Sequence, residues 1–90
     1  MEKAVITVVG KDKVGIIAAI CIRLAGYNVN ILDISQTILH GAFTMVMAVD
    51  VEKAKVPVGD LRDLLEELGR KMEISIRIQR EEIFDAMHRI

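Results

Sequence analysis

The chain offers one stretch whose residue types and spacing suit binding chemistry: Gly10-Lys11-Asp12-Lys13-Val14-Gly15, a loop that leads into a helix. The first backbone N–H groups of a helix have no internal partners and point outward. The helix dipole favours an anion at the same place. Gly15 has no Cβ, so a ligand can come close to its backbone. An amino-acid carboxylate suits such a seat. The amides of Val14, Gly15 and Ile16 would hold it, and Asp12 would read the ligand's amino group. The competing reading is that Asp12, a favoured cap residue, merely caps the helix and Gly15 merely permits the turn.

The remaining reactive side chains do not assemble into a site. His40 and His88 lie far apart, and a zinc centre would want more ligands than they supply. The single cysteine, Cys21, excludes an internal disulfide and a Cys-pair metal site. It falls in an apolar stripe and reads as a small buried hydrophobe. Asp33 and Asp50 sit on strands with no partnered His or Ser, so no catalytic set is formed. No metal, no cofactor and no enzymatic activity are expected. Met45 and Met47 read as core or interface filler. Twelve Lys and Arg against 13 Asp and Glu give a net charge of −1, which argues against a nucleic-acid or polybasic membrane binder. No apolar run is long enough to cross a bilayer. The amino end lacks a signal-peptide layout, so a soluble cytoplasmic protein is expected.

The elements around the loop follow from periodicity. Ninety residues allow one small domain, and 52% hydrophobic composition supplies its core. Ala4–Val9 is a short β-branched run closed by Gly10, a buried strand. Val14, Ile17, Ala18, Cys21, Leu24 and Ala25 recur at helical spacing, with Ile20 widening the stripe, over about 15–26. Asn28 suits the left-handed exit. Residues 29–39 read as a long strand of mixed polarity, suited to an edge or to burial in an oligomer. One face carries Asn30, Leu32, Ile34, Gln36 and Ile38; the other carries Val29, Ile31, Asp33, Ser35 and Thr37. A tight turn at 40–42 joins it to a strand over 43–51 as an antiparallel hairpin. Leu61, Leu64, Leu65 and Leu68 mark a second helix after Pro57, with Asp60 and Asp63 in its first turn and Gly69 near its end. Glu66–Arg70 and Glu67–Lys71 are spaced to pair across it. Ile74, Ile76 and Ile78 alternate with polar residues in a last strand. Ile83, Phe84 and Met87 cluster in a short terminal helix over 81–90.

The order is β-α-β-β-α-β plus a tail. Right-handed crossovers place both helices on one face of a four-stranded antiparallel sheet, an α+β ferredoxin-like sandwich. The other sheet face carries apolar residues too, and a second subunit or the tail helix must shield it.

At this point the residues resemble a known family. Gly10-x-Asp12-x-x-Gly15-Ile16-Ile17-Ala18-x-Ile20, followed by Asn30-Ile31-x-Asp33-Ile34-x-Gln36-Thr37, is similar to the ACT domain, a small regulatory module that binds amino acids or related metabolites. The resemblance covers nearly the whole chain. It is closest to the short stand-alone ACT proteins of uncharacterised function, and more distant from the ACT modules of the glycine-cleavage repressor and formyltetrahydrofolate deformylase. The chain departs from the pattern at Tyr27-Asn28, where the family usually has Leu-Gly. The resemblance implies that the loop faces the start of the second strand, which adds Asn30 and Ile31 to the ligand site. It implies a homo-oligomer, dimer or tetramer, with pockets where the loop meets the neighbour's second strand.

The leading expectation is a non-catalytic module that senses an amino acid or related metabolite in a homodimer. The alternative is a structural or assembly module that dimerises or docks on a partner protein. RNA binding would need aromatic platforms, and the first strand has none.

Overall fold

The computed structural model describes residues 1–11 and 14–82 of the chain. The elements run β1 (Lys3–Lys11), α1 (Ile16–Gly26), β2 (Asn30–Leu39), β3 (Ala42–Asp50), α2 (Val58–Met72) and β4 (Ile74–Arg80). The terminal helix expected over 81–90 lies outside the described residues from 83 onward.

The β-branched run becomes the interior of the sheet. The strand order is β2-β3-β1-β4, so β1 is paired on both sides and β2 and β4 are the edges. All three pairings are antiparallel. Ala4, Ile6 and Val8 of β1, Phe43, Met45, Met47 and Val49 of β3, and Ile74, Ile76 and Ile78 of β4 are buried. Against them pack Ile16, Ile20 and Leu24 of α1 and Leu61, Leu65 and Leu68 of α2. Each such aliphatic side chain contributes about 1.5–3 kcal/mol relative to exposure. Met45 and Met47 are therefore core filler, as their chemistry suggested.

Gly10 does not close β1. It lies within the strand, opposite Phe43 on one side and Ile74 on the other. A Cβ there would stand 2.5 Å from Ile74 Cγ2. Gly69 likewise does not end α2, which continues to Met72 and stops at Glu73 in the left-handed conformation. Gly69 is buried, and its absent Cβ would lie 2.6 Å from the Ile74 carbonyl oxygen. Both glycines exist for close approach to the start of β4. Only Asp60 falls in the first turn of α2, because the helix starts at Val58 and Asp63 sits beyond that turn. Glu67 and Lys71 pair at 3.7 Å, whereas Glu66 and Arg70 do not form an ion pair.

The face of α1 also differs from expectation. Ile16, Ile20 and Leu24 are its buried residues; Ile17 and Cys21 are partly buried, while Val14, Ala18 and Ala25 are exposed. The cause is that α1 is apolar almost all round, with Arg23 its one charged residue. A helix without a polar face carries no periodic signal for which side turns inward. On the sheet face away from the helices, Val9 and Val46 are exposed, whereas Val5 is only 8% exposed.

The β2–β3 hairpin closes through His40 and Gly41, at φ 53° and 77°. Two positive φ values give the primed turn that matches strand twist. β2 is not a straight alternation. A bulge between Ile31 and Asp33 leaves Leu32 without a β3 partner. Past the bulge Ile34, Gln36 and Ile38 oppose Met47, Met45 and Phe43, and so share the helix side with Ile31, which opposes Val49. No helix among the described residues is long and apolar enough to cross a membrane.

Candidate functional site

Among the described residues no side chain caps the start of α1. Gly15 is its cap, at φ 86° and ψ 3°, a conformation L side chains avoid. The first amide to find a helical partner is that of Ala19, which donates to the Gly15 carbonyl at 2.9 Å. The amides of Ile16, Ile17 and Ala18 thus lie at the unpaired end, with the positive end of the dipole. The N-cap residue is Gly15, and Asp12, the cap read from the sequence, lies outside the described residues.

A pocket of about 300 Å³ opens beside this end, lined by Gly15, Ile16, Ile17, Ala18, Gln36, Ile38 and Phe43. Gln36 is the one polar side chain among the described residues of its lining, with a donor and an acceptor on the same amide. Sequence reading gave Gln36 no site role. The signal was available: in a right-handed β-α-β unit the two strands run the same way, so the helix start meets the carboxyl ends of both. That end of β2 carries Gln36 and Ile38. Val14 is fully exposed just ahead of the pocket, and Ile16 is buried at its floor.

Asn30 and Ile31 sit at the other end of β2. Asn30 opposes Asp50 and lines a separate depression with Met1, Asn28, Asp50, Glu52 and Lys53. Six to eight residues of strand separate it from Gln36 and Ile38, about 20–26 Å. Within one chain, Asn30 and the open helix end do not meet.

The depression around Asn30 is held by ordinary structural contacts. Asp50 Oδ1 accepts from the amides of Glu52 at 3.0 Å and Glu2 at 3.2 Å. Those donors hold the Asp50 carboxyl below the usual carboxylate range. The Met1 ammonium donates to Glu52 Oε1 at 3.0 Å, which raises the ammonium above its ordinary value. Asn28, at φ 61°, takes the left-handed exit that glycine would supply, and its Nδ2 donates to the Lys53 carbonyl at 2.8 Å. The Tyr27-Asn28 departure thus ends α1 as a Leu-Gly pair would. Among the described residues no three His, Cys, Asp or Glu side chains gather as a metal site would need.

Comparison with known proteins gives a consistent answer. The family model for the ACT domain matches residues 2–79. A UPF0237 protein of Bifidobacterium longum is 56% identical over 90 residues, the full length of both chains. The solved ACT domain protein from Streptococcus pneumoniae is 44% identical, covers 97% of this chain and 98% of its own, and superposes with a TM-score of 0.81. A formyltetrahydrofolate deformylase from Pseudomonas syringae pv. tomato shares the fold at 21% identity and a TM-score of 0.82, over 89% of this chain and 28% of its own. Element order, strand order and these matches agree, and the chain belongs to the ACT domain family as one of its short UPF0237 proteins.

Proposed function

We propose that this protein is a non-catalytic regulatory module of the cytoplasm that binds an amino acid or related small carboxylate at the seam of a homodimer. The observation that carries the reading is the open start of α1 beside an apolar pocket with one amide side chain, at an unpaired strand edge. Ile34 and Ile38 on that edge are 40% and 55% exposed, and Ile22 of α1 is 72% exposed. A lone chain would leave these apolar groups in water.

A two-fold antiparallel pairing of β2 with β2 of a second copy, centred near Ile34 and Ser35, resolves both problems. It covers Ile34 and Ile38. It also lays Asn30 and Ile31 of the second copy beside Ile38 and Leu39, at the pocket where the helix amides open. The carboxylate then rests on the amides from Gly15 to Ala18, and Gln36 with Asn30 of the second copy reads the amino group. Asp12 and Val14 stand at the mouth. A ligand that bridges two copies stabilises the dimer by mass action.

Calorimetry and thermal melting with the twenty amino acids test this. One or a few should release heat and raise the melting temperature, and Gln36→Leu should weaken that binding at least tenfold with the dimer intact. Absence of heat and of any shift across the panel would overturn sensing.

One observation favours a second reading, an assembly module without a ligand. Ile22 and Ala25 are exposed apolar residues of α1 that pocket formation does not need. A stable dimer that is silent in the calorimeter would select it.

A further inference from the structure

The pocket beside α1 has a wall that seating a carboxylate does not use, and the composition of that wall bears on the rest of the ligand. Apart from backbone and Gln36, it is made by the side chains of Ile16, Ile17, Ile38 and Phe43. Ile38 and Phe43 are direct cross-strand partners, so both stand on the helix side of the sheet, where α1 lies. Ile16 and Phe43 are 2% and 3% exposed, which fixes them in place, whereas Ile38 is 55% exposed and has apolar surface left to cover.

Among the described residues of the lining none is charged. A charged ligand side chain would lose water there and gain no counter-charge, and one neutral amide does not return that cost. Methyl and methylene groups, by contrast, gain by leaving water for an aliphatic wall. The space is also small. A volume of about 300 Å³ is what about ten water molecules occupy in the liquid, and it stands at the lower limit of ligand pockets. Ile31 opposes Val49 and so also faces the helix side. In the proposed pairing, Ile31 of the second copy comes opposite Ile38 and narrows the pocket further. At the α-carbon the demand is looser. The Gln36 amide has both an acceptor, which suits an ammonium group, and N–H donors, which suit an oxo group.

We infer that the ligand is a small carboxylate with a short branched aliphatic side chain, the kind carried by valine, leucine, isoleucine and their 2-oxo acids. Ile17, Ile38 and Phe43 seat that side chain. The inference rests on the ligand reading proposed above and adds the class of side chain that the site accepts. Acidic, basic and large aromatic side chains are refused, the first two for charge and the third for size.

Titration calorimetry on the full chain tests it. The panel is valine, leucine, isoleucine and their 2-oxo acids, against threonine, phenylalanine, glutamate and lysine. At least one aliphatic compound should bind, and whether the amino or the 2-oxo form is preferred tells which group of Gln36 is used. Threonine should bind about tenfold to a hundredfold more weakly than the best aliphatic compound, the range for a hydroxyl in an apolar seat. Glutamate, lysine and phenylalanine should give no heat. Ile17→Val removes one methylene from the wall and should raise the affinity for leucine or isoleucine relative to valine by about tenfold. Tighter binding of threonine, phenylalanine, glutamate or lysine than of any aliphatic compound, with that binding lost in Gln36→Leu, would overturn the inference and leave the ligand site standing. An unchanged ratio in Ile17→Val would overturn the seat assigned to the side chain. Silence from every compound would overturn the site and the inference together.

Discussion

Ile74 is enclosed from two sides by the absence of side chains. Gly69 brings α2 to its carbonyl and Gly10 brings β1 to its side chain. Replacing Gly69 by Ala gains about 1 kcal/mol in helix propensity. The new methyl, however, meets a backbone oxygen that cannot swing aside, and overpacking costs about 1–3 kcal/mol. Gly69→Ala should therefore lower the melting temperature. Gly59→Ala, in the same helix with open space around it, should leave it unchanged or raise it. A second test at this scale uses pH. Asp50 is ionised more readily in the folded chain because the Glu52 and Glu2 amides donate to it. Its contribution is present above the unfolded carboxylate pKa and is lost as pH falls through the lower folded value. Melting of Asp50→Ala against the parent should show a gap at neutral pH that closes in acid.

Elements were legible in proportion to their polarity contrast. α2 alternates charged and apolar positions, and its stripe was read almost residue for residue; Leu64 alone is only partly buried. α1 lacks the contrast, so its existence could be read and its inward face could not. The hairpin was legible from His40-Gly41, but the Leu32 bulge was not, because an inserted residue leaves the composition of the strand unchanged. The turn gives a prediction of its own. His40 holds φ 53° at the turn position where Asn before Gly is the preferred residue. His40→Asn should stabilise by up to about 1 kcal/mol in denaturant titration, and Gly41→Val should destabilise by about 1–2 kcal/mol.

At the scale of the whole molecule, the proposed site is only half legible because the proposal draws half of it from a second copy. The open helix end follows from Gly15 and the loop before it. The direction of β2 puts Gln36 there and carries Asn30 away, so the motif Asn30-Ile31 makes sense as a ligand contact only if a second copy returns it. Ile34→Lys or Ile38→Lys should then convert a dimer to monomers in sedimentation equilibrium and abolish amino-acid binding in the same variant. A parent protein that sediments as a monomer at tens of micromolar would remove the basis for the shared pocket.

The bulge at Leu32 has a consequence for how this lineage can change length. Every β2 residue except Leu32 has a β3 counterpart. Loss of that one codon would leave all the remaining rungs in place and cost little in fold. Losing a codon at Gln36 instead would shift every later side chain to the opposite surface. The shortened strand would also be a smoother template for runaway edge-to-edge growth into fibres. A single-residue gap at position 32 is thus tolerable to the fold and hazardous to solubility.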